Sequence, residues 1–212
     1  MIEKIQIPSN GTHIDIILSS DEKKEANLFL EKHSTRRKEF IYLNIGGSVS
    51  YKQWPVDQFI ALSNLILNNT SLKIILGGGP EDTDRINFIN HQINQERVIA
   101  ASNRSLIGNC ALINNAKVLV TPDSGPMHIV FSLKIPTISL CWETDCNGLI
   151  RSELNGPNFC GPLDIDESLS SVLCGNFFES NKRVDSESLT SKLILQAKYG
   201  KRFSNFYKKR MT

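Results

Sequence analysis

Between Phe40 and Cys141 the chain repeats one unit: a short apolar run, a reversal, then a segment with helical apolar spacing. The runs are 40–45, 72–76, 97–100, 117–120 and 136–141. The segments between them place Phe59, Leu62, Leu65 and Ile66, then Ile86, Ile89 and Ile93, then Leu106, Ala111, Leu112 and Ile113, at helical spacing. Strands that alternate with helices at this interval predict parallel βαβ units. Right-handed crossovers then put helices on both faces of a single sheet. Ligands of such α/β sheets bind beyond the carboxyl ends of the strands.

Three reversals are expected at that edge. The fullest is Val118-Leu119-Val120-Thr121-Pro122-Asp123-Ser124-Gly125-Pro126-Met127-His128. Thr121-Pro122 is expected to stop the strand, because proline cannot donate to a ladder. Asp123 or Ser124 then caps a helix running through Leu133, with Pro126 in its first turn and Gly125 leaving the backbone approachable. A bare helix N-terminus at this place suits phosphate or diphosphate; the same residues also describe an ordinary capped helix with nothing bound. The other two reversals are Gly46-Gly47-Ser48 and Gly77-Gly78-Gly79-Pro80, and each favours an anion or a close backbone approach.

Composition excludes several classes. The 212 residues suffice for one large core, and a net charge of +2 does not point to nucleic acid. No stretch of about 18 apolar residues exists to span a membrane, and the charged opening Met1–Pro8 is no signal peptide. Five cysteines without a CxxC pair, and four scattered histidines, read as reduced thiols rather than a disulfide or zinc framework. Asp82-Thr83-Asp84 has the spelling of a metal-binding DxD. It lies at a helix start where acids are favoured in any case, and no metal is expected. The reading is therefore of a cytoplasmic protein.

The remainder divides as follows. Residues 1–38 read as a linker or partial N-terminal segment, with an edge strand at 14–18 and a short helix capped by Ser20 and carrying Ala26, Leu28, Phe29 and Leu30. Residues 39–180 form the main domain, with a further helix expected near 165–173. Residues 181–212 form a basic tail with a helix near 186–198. No acid follows Ser188, while lysines and arginines accumulate among Tyr199, Phe203, Phe206 and Tyr207. Such a tail fits either peripheral contact with an anionic membrane face or a solvated helix packed by its aromatics.

Taken together, Gly47-Ser48 with Lys52-Gln53-Trp54-Pro55, Leu76-Gly77-Gly78-Gly79-Pro80-Glu81-Asp82, Ser105-Leu106 and Asp123-Ser124-Gly125-Pro126-Met127-His128 resemble the heptosyltransferases of glycosyltransferase family 9. The likeness runs from about Phe40 to Leu140. It implies the GT-B fold, two Rossmann-like halves with the active site between them. The chain then looks like the C-terminal, nucleotide-sugar half, an α/β Rossmann-like parallel sheet with helices on both faces. Where many members have Gly-Pro-Thr after the last strand, this chain has Trp142-Glu143-Thr144.

The resemblance implies inverting transfer from an ADP-heptose-like donor to a lipopolysaccharide or related glycan acceptor at the inner face of the cytoplasmic membrane. By position, Ser48 and Lys52 match contacts to the donor's phosphates and sugar, and the lysine neutralises the leaving group. Asp82, beside Gly78, matches the acid that holds the ribose hydroxyls. Asp123 matches the acid facing the donor sugar, and Ser124, Gly125 and Met127 match the phosphate-binding helix start. Lys52 and Asp123 are thus the catalytic candidates. His128 either orients the junction or is a structural histidine, and Trp54 reads as core. The general base is an aspartate in the half this sequence lacks, so the chain alone is expected to be inactive or nearly so. Two other readings stand beside this one: a degenerate nucleotide-binding or regulatory module, and a nucleotide-sugar epimerase of related architecture, which Lys52-x-Trp54-Pro55 does not support.

Overall fold

The computed structural model describes residues 16–47, 53–122, 124–127, 133, 135–141 and 170–174. The elements are α1 (Ser20–Lys32), β1 (Phe40–Asn44), α2 (Val56–Asn69), β2 (Lys73–Gly77), a 3₁₀ turn (Pro80–Asp82), α3 (Thr83–Ile93), β3 (Val98–Ala101), α4 (Leu106–Ile113), β4 (Val118–Pro122), β5 (Thr137–Cys141) and β6 (Ser170–Cys174). All strand pairings are parallel, in the order β3-β2-β1-β4-β5-β6. The winding reverses between β1 and β4, and ligand crevices of open α/β sheets lie at that switch point.

Both faces of the sheet are covered. Residues alternate across it, so Ile41, Leu43, Ile74, Leu76, Val118, Val120, Ile138 and Leu140 pack on one side with Phe59, Leu62 and Ile66 of α2 and Ile86, Ile89 and Ile93 of α3. Phe40, Tyr42, Ile75, Ile99 and Leu119 pack on the other with Ala26 and Leu30 of α1 and Cys110 to Ile113 of α4. Burial on both faces explains why the strands read as continuous apolar runs. Trp54 is fully buried and meets Phe59 edge-on at 4.8 Å between centroids, in agreement with its reading as core.

Several local expectations shift. The cap of α1 is Ser19, one residue before the expected Ser20, because Glu22 stands three residues after Ser19 and completes a capping box with it. Ile16–Leu18 is not an edge strand. Among the described residues the sheet's edges are β3 and β6, and Leu18 is buried in the α1–α4 core instead; residues 14 and 15 of the expected strand lie outside the described residues. Strand β4 continues to Pro122, its last residue, rather than stopping before it; its pairing with β1 ends at Val120, so on that side no partner remains to miss an N–H. Residues 170–173, the described part of the helix expected near 165–173, belong instead to strand β6 (Ser170–Cys174), in register with β5. The expected helix at 186–198 and the basic tail lie outside the described residues. Helix α1, within the segment read as a linker, packs on the sheet. Arg104, just before α4, reaches Glu25 of α1 at 2.9 Å and lies over the Phe29 ring at 5.2 Å.

Candidate functional site at the carboxyl edge of the sheet

The expected reversals meet at one rim. Strand β1 ends in Asn44, whose side chain is buried at the switch point. Its Nδ2 donates to Thr121 Oγ1 at 3.0 Å and to Ser124 Oγ at 3.1 Å, with Gly46 O farther away at 3.4 Å. Thr121 Oγ1 donates to Pro122 O at 3.0 Å and lies 3.2 Å from Ser124 Oγ. Residues 125–127 begin a helical turn, with Met127 N donating to Ser124 O at 3.0 Å. Ser124 therefore faces inward, while the Met127 side chain is 1 % exposed and belongs to the core. Any contact Met127 makes with a ligand is through its backbone.

Gly125 stands apart from the other glycines of the rim. A β-carbon built there meets nothing within 4 Å, and its φ lies outside the left-handed region. Among the described residues neither packing nor backbone geometry requires a glycine at 125, and the position is exposed.

Across the switch point the spaces are filled by the chain itself. A methyl on Gly77 would overlap the Tyr42 hydroxyl, and methyls on Gly46 and Gly78 would strike the Asp82 carboxylate. The buried Tyr42 hydroxyl donates to Asn109 Oδ1 at 2.8 Å, and Asn109 Nδ2 donates to Gly78 O at 2.6 Å. Asp82 is buried and accepts the Gly79 N–H at 2.8 Å. Burial raises the Asp82 carboxyl above the ordinary carboxylate range, against the opposing effects of the Gly79 N–H and the Arg85 guanidinium. The expected close approach at Gly77-Gly78-Gly79 is thus made by Tyr42 and Asp82, and the immediate work of Asp82 is to hold that loop. Asp84, the second acid of the DxD spelling, is exposed.

Ser48, Lys52, Asp123 and His128 lie outside the described residues. The neck of the loop that carries Ser48 and Lys52 is described, and it is tied twice. Gln53 Nε2 donates to Gly47 O at 3.0 Å, and the Arg85 guanidinium donates to Ile45 O at 3.0 Å and to Trp54 O at 2.6 Å. Sequence reasoning overlooked Asn44, Thr121, Arg85 and Asn109. A lone asparagine ending an apolar run reads as an ordinary turn former, and its partners stand 77 and 80 residues along the chain.

Residues 2–148 match the model of glycosyltransferase family 9 (heptosyltransferase). The chain belongs to glycosyltransferase family 9. Over 150 residues this family 9 chain is 26% identical to lipopolysaccharide heptosyltransferase 1 of Campylobacter coli, an alignment covering 68% of the chain and 43% of that relative. Its fold is shared with a family 9 glycosyltransferase from Veillonella parvula (TM-score 0.69, 22% identity, 92% of this chain and 58% of that one). It is shared also with the structure of E. coli heptosyltransferase WaaC with ADP (TM-score 0.64, 20% identity, 92% and 53%). The chain spans about half the length of these relatives.

Proposed function

We propose that this family 9 chain is the donor-binding half of an inverting glycosyltransferase that moves a sugar from an ADP-heptose-like donor to a lipopolysaccharide or related glycan acceptor. The observation that carries this reading is the buried polar cluster of Asn44, Thr121 and Ser124 at the switch point between β1 and β4, from which the exposed Gly125 starts the turn at 125–127. The diphosphate lies there, against the N–H groups of the turn at 125–127 and the Lys52 ammonium. Ser48 contacts the phosphates, Asp123 faces the donor sugar, and Asp82 with Gly78 holds the loop on the ribose side. The turn and Lys52 carry the phosphate charge, so no metal is needed. Reaction takes place in the cytoplasm with the acceptor held by a second half. The heptosyltransferase structure with ADP has the same fold over 92% of this chain, which supports an adenine nucleotide as the ligand to try first.

Calorimetric titration of the chain with ADP and with adenosine, in EDTA and in magnesium, tests the reading. ADP is expected to bind more tightly than adenosine and equally well in both buffers. Lys52→Ala should weaken ADP by about tenfold, as expected for loss of one charge-assisted contact, and leave adenosine unchanged. Absence of ADP binding in both buffers, or equal losses for the two ligands, would reject it.

A further inference from the structure

The hydrogen bonds at the switch point can be followed proton by proton. The Asn44 amide nitrogen has two protons, and its two near acceptors are Thr121 Oγ1 and Ser124 Oγ, at 3.0 and 3.1 Å. Gly46 O, which can only accept, lies 3.4 Å from the same nitrogen, so it is the NH₂ end of the amide that faces the cluster. The Thr121 hydroxyl has one proton and gives it to Pro122 O at 3.0 Å. That leaves the Ser124 proton. Among the described residues its one acceptor is Thr121 Oγ1 at 3.2 Å, beyond the usual O–H···O distance of about 2.7–2.8 Å. Ser124 thus accepts a good bond and donates a poor one. A hydroxyl that accepts is a stronger donor in turn, and the next residue, Gly125, is exposed at the start of the turn.

We infer that Asn44 is a positioning residue for the nucleotide site: its amide holds the Ser124 hydroxyl as an acceptor, so that the Ser124 proton is directed to an anionic phosphate oxygen of a nucleoside diphosphate. The inference rests on the donor-site reading above. It adds a residue that touches no ligand and acts only through Ser124. The asparagine is buried and anchored at the end of β1, in register beside Gly77 of β2, so the direction of its amide is fixed by the sheet rather than by the loops.

The test is a mutant cycle on the whole chain, read by calorimetry with ADP and adenosine as probes. Asn44→Leu keeps the approximate volume and removes both donors; Asn44→Ala is read the same way if the leucine variant does not fold. Ser124→Ala is expected to weaken ADP by about tenfold, the value of one hydrogen bond to a charged oxygen. Asn44→Leu should weaken ADP by about threefold to tenfold, leave adenosine unchanged, and cause no further loss when combined with Ser124→Ala. A merely structural asparagine would weaken both ligands, or add its loss to that of Ser124→Ala. Either result, or unaltered ADP affinity in the Asn44 variants, overturns the inference and leaves the donor site standing. Failure of the wild-type chain to bind ADP overturns both.

Discussion

Glycines 125 and 77 stand on the same rim, and the structure assigns them opposite reasons. At Gly125 a methyl meets nothing within 4 Å among the described residues and φ lies outside the left-handed region, so alanine is expected to fit the folded chain without strain. The substitution restricts the unfolded chain and is worth about 0.4–1 kcal/mol of stability. For a chain of this size that raises the melting midpoint by about 1–4 °C. On the donor-site reading the same methyl hinders an anionic oxygen that approaches the N–H groups of the turn. Loss of one such charge-assisted bond is about 1.5–3 kcal/mol, or tenfold to a hundredfold in ADP affinity. At Gly77 the methyl overlaps the Tyr42 hydroxyl and disturbs its 2.8 Å bond to Asn109. Overpacking together with a damaged buried hydrogen bond sums to a destabilisation of about 2–5 kcal/mol. Thermal melts without ligand and titrations with ADP read both effects. Gly125→Ala should be more stable and bind worse; Gly77→Ala should be much less stable. A Gly125→Ala protein that melts lower than wild type, or that melts higher and binds ADP as before, refutes the reasoning.

Two further outcomes follow from α3 and the turn before it. Arg85→Ala removes both ties from the neck at Ile45 and Trp54 and should weaken ADP by about tenfold; the check is calorimetry beside Arg85→Lys, which should recover part of the affinity. The second concerns pH. The Asp82 carboxyl titrates higher in the folded chain than in the unfolded one, so between the unfolded value, about 4, and the raised folded value the native state holds more of the proton. Its contribution to stability is therefore largest in acid and declines as pH rises through that window. Asp82→Asn abolishes the decline, so urea midpoints should show wild type losing ground to the variant between pH 4 and pH 7. A difference independent of pH would contradict the assignment.

The sheet was legible because its strands are buried on both faces. Ile41, Leu43, Ile74 and Val120 on one side, and Phe40, Tyr42, Ile75 and Leu119 on the other, leave each run without a polar gap. Helices α2 and α3 were legible from Phe59, Leu62 and Ile66 and from the isoleucines at 86, 89 and 93, all buried as their spacing requires. Strand β6 was not. Ser170-Ser171-Val172-Leu173-Cys174 has no period of its own, and its strand form follows from pairing with β5. The site divides in the same way. The positions of Ser124, Gly125 and Asp82 could be read, because local signals (a proline, a glycine, a helix start) mark them. The Asn44–Ser124 and Tyr42–Asn109 bonds join residues 80 and 67 positions apart, and no local pattern announces such a pair.

Which glycines the chain fills also bears on where a donor's charge belongs. Above β1 and β2 the glycines are covered from within: Tyr42 covers Gly77, and Asp82 covers Gly46 and Gly78. A phosphate there would face a buried carboxylate whose raised titration already reports a poor environment for negative charge. Above β4, among the described residues, Ser124 has only a long contact to Thr121 for its proton and a methyl on Gly125 would meet nothing, and the turn at 125–127 begins a helix. The two halves of the rim differ in sign as well as in shape. On the donor-site reading the diphosphate is expected at the turn above β4 and the uncharged nucleoside toward β2, where a ribose hydroxyl can donate to the Asp82 carboxylate. An ADP complex with its phosphates over Gly78 and its ribose at Ser124 would reverse this assignment and displace Asn44, Ser124 and Gly125 from the charge-binding role together.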